Sequence, residues 1–264
     1  MKSATRTKRF TNMAGNLSRR SIRSKRFERL ERLERFEPDS AIKLARLLQL
    51  ASPALPVGAY SYSQGLEAAV VAGIVDDASA AARWIGDMLE YSVARLEAPL
   101  VLRLLDSWRA NDYALVDYWN ALFLAGRETS ELRAETLQMG YSLRKLIIQL
   151  EVTDEKALAR LDRLDEVSFP AAFAFAVAQW KIPAAQALVA YLWAWMENQV
   201  MAAVKLVPLG QTEGQRILLR LGEGLAEVAE RASSMGDNEL GSFAPRLAIL
   251  SSAHETQYSR LFRS

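Results

Sequence analysis

The chain has 264 residues, of which 50% are hydrophobic and 24% charged, as in globular proteins that bury a large core. It has no cysteine and one histidine, which excludes disulfides, thiolate chemistry and stable metal sites built from imidazole and thiolate. The net charge of +2 is unevenly spread: residues 1–36 carry twelve Lys/Arg against three Glu, and the remainder twenty-one against twenty-eight acids.

The N-terminal segment, residues 1–39, is strongly basic and precedes the predicted globular body. Residues 1–27 contain no acid and are rich in Arg, Ser and Thr. Mitochondrial transit peptides, nucleic-acid-binding arms and solvated extensions share this composition, and a later translation start at Met13 is a further interpretation. Apolar residues then recur every third position to Phe36, which predicts a charged helical linker ending at Pro38. We expect a disordered or helical extension here.

From residue 40 onward, apolar residues recur with the helical period, and strand patterns are almost absent. Asp39 or Ser40 is predicted to cap the first helix, a capping box of Ser61 and Gln64 is predicted to begin the second, and Gly73 to end it. These signals place the start of the globular body near residue 40.

The rest of the body follows the same pattern. Asp76 is predicted to cap a third helix, and Pro99 to restart the chain into a fourth. Further helices are predicted over 112–126, 128–150, 153–164, 169–180, 184–207, 211–221, 222–234 and 243–258. With short connections and no internal repeat, residues 40–264 are predicted to form one all-α domain of about ten helices.

Several functional classes lack their sequence signature. The most apolar stretch, from Val167 to Met196, is divided by Pro170, Lys181 and Pro183 into pieces shorter than the ~20 residues that span a bilayer. There is no phosphate-binding loop and no complete dinucleotide motif, and the single histidine has no partner for a catalytic pair. We therefore predict no catalytic residue, no metal ligand and no cofactor: the chain is interpreted as a non-enzyme.

Four sequence blocks carry a family resemblance. They are SPALPVGAYSYSQGLE at residues 52–67, RETSELRAETLQMG at 127–140, PLGQTEGQR at 208–216 and SAHETQYSRLFRS at 252–264. In this order they resemble the UreF family of urease accessory proteins, and the similarity covers about residues 40–264. Residues 1–39 lie outside it.

The resemblance implies an all-α, dimeric, cytosolic protein without chemistry of its own. It implies a chaperone or scaffold that supports nickel insertion into apo-urease. The implied partners are UreD (also called UreH) and the GTPase UreG, which the family recruits together with UreD and regulates. The absence of cysteine fits a reducing cytosol.

Two of the blocks offer candidate partner-binding residues at predicted helix starts. In the first, the residues Tyr60, Ser61, Ser63 and Glu67 follow a turn rich in Pro and Gly. In the third, the candidates are Gln211, Gln215 and Arg216. Helix capping, packed tyrosines and a solvated arginine would explain the same residues without a partner.

The C-terminal block holds the remaining candidates. It is too apolar for a solvated tail, so we expect it to pack on its own domain or in a groove of a partner. Arginine and aromatic residues are the usual anchors of interfaces, which makes this block a predicted partner-binding segment. Its candidates are His254, Glu255, Tyr258, Arg260, Leu261, Phe262 and Arg263. A histidine that packs inside the domain is the simpler interpretation of His254.

A competing function uses the basic N-terminal arm. A helical binding module could contact nucleic acid or an anionic membrane through residues 1–36. The acidic remainder of the chain, which shows no basic stripe, argues against such a role for the body itself. The interpretation based on the resemblance to the UreF family therefore includes neither nucleic acid nor membrane among the partners.

Overall fold

The structure, a computed structural model, describes residues 38–151 and 153–264. Across these residues the chain is helical and contains no strand, which confirms the all-α prediction. The α-helices are α1 Pro38–Ala51, α2 Leu66–Val71, α3 Ala78–Met88, α4 Ala98–Ala110, α5 Tyr113–Ala125, α6 Ser130–Gln149, α7 Glu155–Asp162, α8 Phe169–Gln179, α9 Ala184–Leu206, α10 Gln211–Gly222, α11 Leu225–Ser234 and α12 Pro245–His254. The predicted linker before Pro38 lies outside the described residues.

Helix α8 is the centre of the core. Residues Pro170 to Val177 are all buried, and α8 packs against α4 and α6. Ser168 caps the helix by accepting a hydrogen bond from the Ala171 amide at 3.3 Å, and a proline follows within the first two helical positions, where its missing N–H costs nothing. The many alanines let the neighbouring helices approach closely.

The closest approach in this core occurs at Gly140 of α6. A Cβ built on this residue would lie 2.1 Å from the carbonyl oxygen of Val167, which no side chain can tolerate. The sequence of α6 thus fixes where the backbone before α8 crosses it, and any larger residue at position 140 would separate the two.

The prediction that a helix begins near Pro99 is confirmed, but the interruption that it implied before this residue is wrong. Helices α3 and α4 are joined without interruption by a π-helix, Leu89–Glu97, in which the backbone winds more widely. Proline lacks an amide hydrogen, and here it lies within the first two positions of α4, where the winding changes. The π-helix carbonyls of Tyr91 and Arg95 accept hydrogen bonds from the amides of Phe243 and Gly241.

The predicted caps of the first three helices are also corrected. Asp39 lies in the first turn of α1 instead of preceding it. Helix α2 is capped by Gly65, which has a φ of 78°, and no side chain caps it. The third cap is one residue later than predicted: Asp77, whose side chain accepts from the Ala80 amide at 2.7 Å. Capping patterns give a helix start only to within a few residues.

The end of the chain differs from the prediction as well. The last helix stops at His254, and residues 255–264 continue as turns, bends and irregular chain instead of helix to residue 258. Among the described residues, no helix combines the length and apolar character needed to cross a membrane.

Candidate functional site

The last ten residues lie on a set of buried and partly buried polar side chains supplied by the turn before α2 and by α2, α6 and α12. We call this set the C-terminal network; its members are Ser63, Glu67, Glu131, Glu135 and His254. Helix α12 brings the chain end to α2 and α6, against which it packs. The close approach depends on Gly65, since a Cβ there would meet a methyl carbon of Leu247 at 3.0 Å.

Glu67 is the centre of the network. Its carboxylate accepts the backbone amides of Leu261 and Phe262 at 2.7 and 2.8 Å, and Nε2 of His254 lies 3.2 Å from Oε2. The residue is 5% exposed. A buried carboxylate requires such donors, because its desolvation is otherwise costly. Glu67 therefore fixes the path of the chain end.

His254 is completely buried between two carboxylates. Its Nδ1 lies 2.8 Å from Oε2 of Glu131, opposite the contact of Nε2 with Glu67. Each ring nitrogen therefore faces a carboxylate oxygen that can accept a hydrogen bond. Arg260 donates to the other oxygen of Glu131 at 2.7 Å. This arrangement favours the interpretation of His254 as a packed histidine.

A second anchor holds the final residue. The amide of Ser63 donates to the main-chain oxygen of Ser264 at 2.9 Å, and the Ser63 hydroxyl donates to the same oxygen at 2.5 Å. The Ser264 hydroxyl donates to Glu135 at 2.9 Å, and Gln64 donates to the other oxygen of that carboxylate at 2.7 Å. Burial raises the pKa of Glu135 to about 7, against the opposing effect of these two donors.

The predicted partner-binding residues of the first and last blocks are either buried or exposed, except Ser61, which is half-buried. Ser63, Glu67, His254 and Phe262 are buried, and the first three have the network contacts described above. Their side chains hold the chain end in place, and they can influence a partner only through it. Phe262 packs in the core and has the ammonium group of Lys205 at 5.5 Å from its ring centroid.

The exposed members lie on or beside the docked segment. We call them the C-terminal surface; they are Tyr60, Glu255, Tyr258, Arg260, Leu261 and Arg263. The amide of Arg263 donates to the carbonyl of Ser61 at 2.8 Å, which ties this segment to the first block. Ser130 donates twice to Glu255 through its amide and hydroxyl, and the hydroxyl bond lowers the pKa of that carboxylate. The structure thus brings the first and last blocks together.

The candidates of the third block are placed on a different element. Gln211, Gln215 and Arg216 are exposed on α10, whose Gly214 packs against Val200 and Val204 of α9. Arg216 pairs with Glu213 within the same helix. None of the three belongs to the C-terminal network as defined.

Sequence reasoning missed the acidic residues that receive the chain end. Glu131 and Glu135 are one helical turn apart on α6, so they share a face. Both occur in the second block, and their spacing of one helical turn was the only sequence signal that they form part of one site. An acidic residue within an apolar stretch of sequence, such as Glu97, similarly indicates a buried carboxylate that is paired with a polar group.

Glu97 belongs to a second buried polar cluster, together with Arg127 and Tyr191, and this cluster lines a cavity of about 220 Å³. Arg127 pairs with Glu97 at 2.8 Å, with side chains 5% and 6% exposed, and Tyr191 donates to the other Glu97 oxygen at 2.8 Å. Burial raises the pKa of the Tyr191 hydroxyl well above its usual value. Glu135 lines the same cavity and therefore links it to the C-terminal network.

Within the described part of the chain, no group of three or more His, Asp or Glu side chains is placed to hold a metal ion. The polar clusters consist of hydrogen bonds and ion pairs, and those of the C-terminal network position the backbone of the last residues. Fold and site together define an all-α protein in which a polar network fixes the C-terminal segment on the domain.

Comparison with known proteins gives the family. The UreF family model matches residues 75–222. The urease accessory protein UreF of Azoarcus sp. (strain BH72) is 60% identical over 225 residues, covering 84% of this chain and 96% of that protein. The proteins of the same name from Dechloromonas aromatica and Janthinobacterium sp. are 50% and 52% identical, covering 85% and 84% of this chain and 99% and 98% of theirs. The chain belongs to the UreF family.

Proposed function

We propose that this protein is a scaffold in urease maturation, a chaperone without catalytic activity that supports nickel insertion into apo-urease. The observation that carries the proposal is the similarity to urease accessory proteins along nearly their whole length. The proposed partners are UreD (UreH), the GTPase UreG, whose activity the complex regulates, and apo-urease. A homodimer in the cytoplasm is the form in which we expect it to act.

Deletion of the gene tests this function directly. We expect the deletion strain to make normal amounts of urease protein that contain little nickel, and a plasmid copy of the gene to restore the metal content. Urease should be measured by immunoblotting and its nickel by mass spectrometry, without added nickel in the medium. Fully nickel-loaded urease in the deletion strain would contradict the assignment.

The C-terminal surface is the proposed docking site for UreD or UreG. Leu261 is 64% exposed, although the backbone beside it is fixed by Glu67. An exposed apolar side chain on a fixed backbone binds a partner without a large loss of conformational entropy. Removing it should therefore weaken assembly without unfolding the protein.

A pull-down with matched variants separates docking from general effects. Leu261→Ala should reduce recovery of the partner complex by about tenfold, the change expected for a loss of about 1.4 kcal/mol. Leu150→Ala, which removes a leucine that is 52% exposed at the end of α6, should leave recovery unchanged. Equal recovery for both variants would mean that this surface does not dock the partner.

The basic arm is the basis of the second candidate function, contact with nucleic acid or an anionic membrane. Segregation of charge into residues 1–36 favours it. We propose instead that residues 1–39 are separate from the UreF-like domain of residues 40–264 and dispensable for its assembly. A variant lacking residues 1–36 should bind the partners normally at moderate salt. Loss of assembly under those conditions would assign the arm a role.

A further inference from the structure

The cavity beside the C-terminal network contains hydrogen-bond donors that no described residue uses. Arg127 is buried, and only its Nη1 atom is paired, with Glu97. Its Nε and Nη2 atoms are buried without an acceptor among residues 38–151 and 153–264. Buried donors of this kind are rare, since each unsatisfied group costs on the order of 1–3 kcal/mol. A missing acceptor is therefore expected at this position.

The walls and volume of the cavity indicate the size and polarity of the molecule that carries this acceptor. Most lining side chains are apolar, among them Leu55, Phe123, Leu132, Met139 and Met201. At about 220 Å³ the cavity is smaller than the roughly 300 Å³ at which ordinary ligand pockets begin. The space suits a short aliphatic chain attached to a polar head.

The free edge of the guanidinium selects the head group. Nε and Nη2 are neighbouring donors in a rigid plane, and a carboxylate accepts from two such donors at once. A neutral amide has one acceptor oxygen for the two nitrogens, and an ammonium group has none. A phosphate would bring more negative charge than one arginine already paired with Glu97 can compensate.

We propose that this cavity is a binding site for a short aliphatic monocarboxylate. Its two oxygens accept hydrogen bonds from Nε and Nη2 of Arg127, and its chain lies against the apolar walls. The site shares Tyr60 with the C-terminal surface, but its other lining residues lie outside that surface, and it would add a small-molecule ligand to a protein that otherwise binds proteins.

The charges around the cavity couple binding to protons. The lining cations are Arg127 and Lys205, and the lining acids are Glu97, Glu135 and Glu197, with Tyr60 and Tyr191 as further titratable groups. Tyr62 interacts electrostatically with Glu135, and Glu128 with Arg127. Burial raises the pKa of both Glu135, to about 7, and Glu197. A monoanion is accommodated best when these two acids are neutral, so it binds together with a proton.

Calorimetric titration of the full chain with butyrate tests the proposal, with butyramide and butylammonium as probes of equal length. At pH 6 butyrate should bind at least about tenfold more tightly than either. Between pH 6 and pH 8 its affinity should fall about tenfold, because the protonated fraction of an acid with a pKa of about 7 falls by that factor. No heat from butyrate, or equal affinity for all three, would mean that water occupies the donors, and would overturn the proposal.

Two variants locate the binding. Arg127→Lys keeps the positive charge near Glu97 but removes the planar fork, and should abolish selectivity for butyrate over butyramide. Ala194→Phe fills the cavity from α9 and should abolish binding of butyrate. Circular dichroism must show that each variant is folded. A folded Ala194→Phe protein that binds butyrate normally would place the ligand elsewhere and overturn the proposal.

Discussion

Helix α8 and the C-terminal segment are both anchored in the interior, but by different interactions. Phe173 and Phe175 are buried among apolar neighbours, and Phe175 meets Trp108 edge to face at 5.0 Å between ring centroids. The C-terminal segment is held instead by carboxylates that accept its amides, as Glu67 does for Leu261 and Phe262. Apolar packing tolerates small changes of direction, whereas hydrogen bonds to a carboxylate fix the position of a backbone.

The two regions therefore affect different properties: the apolar centre stabilises the fold, and the polar network orders the C-terminal segment. The apolar centre accounts for the free energy of folding, which depends on the area removed from water. The polar network orders a segment whose own apolar contacts are few, because Leu261 and Tyr258 remain exposed. Variants of the two regions should therefore differ in whether the whole protein or only the chain end is affected.

The largest effect is expected in the apolar centre. Phe175→Ala removes a fully buried ring and should lower the free energy of unfolding by about 3–5 kcal/mol. Urea denaturation followed by circular dichroism measures this loss. Phe243→Ala, at a phenylalanine that is 74% exposed, is the control and should change stability by less than about 0.5 kcal/mol. Similar losses for both would contradict the placement of the core.

Glu67→Ala should come next, with a loss of about 3 kcal/mol, because the amides of Leu261 and Phe262 lose their acceptor and buried His254 loses a polar neighbour. Trypsin should then cleave after Arg260 much faster than in the unaltered protein, well below the urea concentration that unfolds the body. Glu67→Gln keeps one acceptor oxygen and should show a smaller change in both measurements. Unchanged cleavage in Glu67→Ala would mean that the network does not hold the chain end.

The pH dependence of stability tests the burial of the Glu135 carboxylate. The pKa of Glu135 is raised from 4.5 to about 7 in the folded state. Its contribution is therefore fully present below about pH 4.5, where the unfolded chain is also protonated, and is lost as the pH rises to about 7. The loss is on the order of 2–3 kcal/mol. Glu135→Gln should remove this part of the slope, and an unchanged slope would contradict the assignment.

The smallest effect is expected at the rim of the network. Arg260→Ala breaks a contact with Glu131, but the arginine side chain is 39% exposed, and solvent weakens such pairs. The loss in unfolding free energy should stay below about 1 kcal/mol, as measured by thermal unfolding. Arg260→Lys should recover most of it, since one N–H contact is involved. A loss above about 2 kcal/mol would place Arg260 inside the network instead of at its rim.

The sequence predicted helices well and their junctions poorly. Periodicity alone placed α5, α6, α8 and α9 within two residues of their bounds, because each buries a broad apolar face. The π-helix at Leu89–Glu97 was missed, since wide winding leaves no local signature and is held by contacts with residues 241–243. Local rules identified Pro99 as the start of a helix but gave no sign that the chain before it is also helical.

The sequence by itself determined the helical class and the family, because these depend on composition, period and ordered blocks. Only the tertiary structure decided how the chain end is held. Glu67 lies 187 residues from His254 along the chain, and no local pattern records which donors fold onto an acid. The tertiary structure also decided that Leu261 is exposed whereas its neighbour Phe262 is buried. Burial depends on which distant surface a segment reaches.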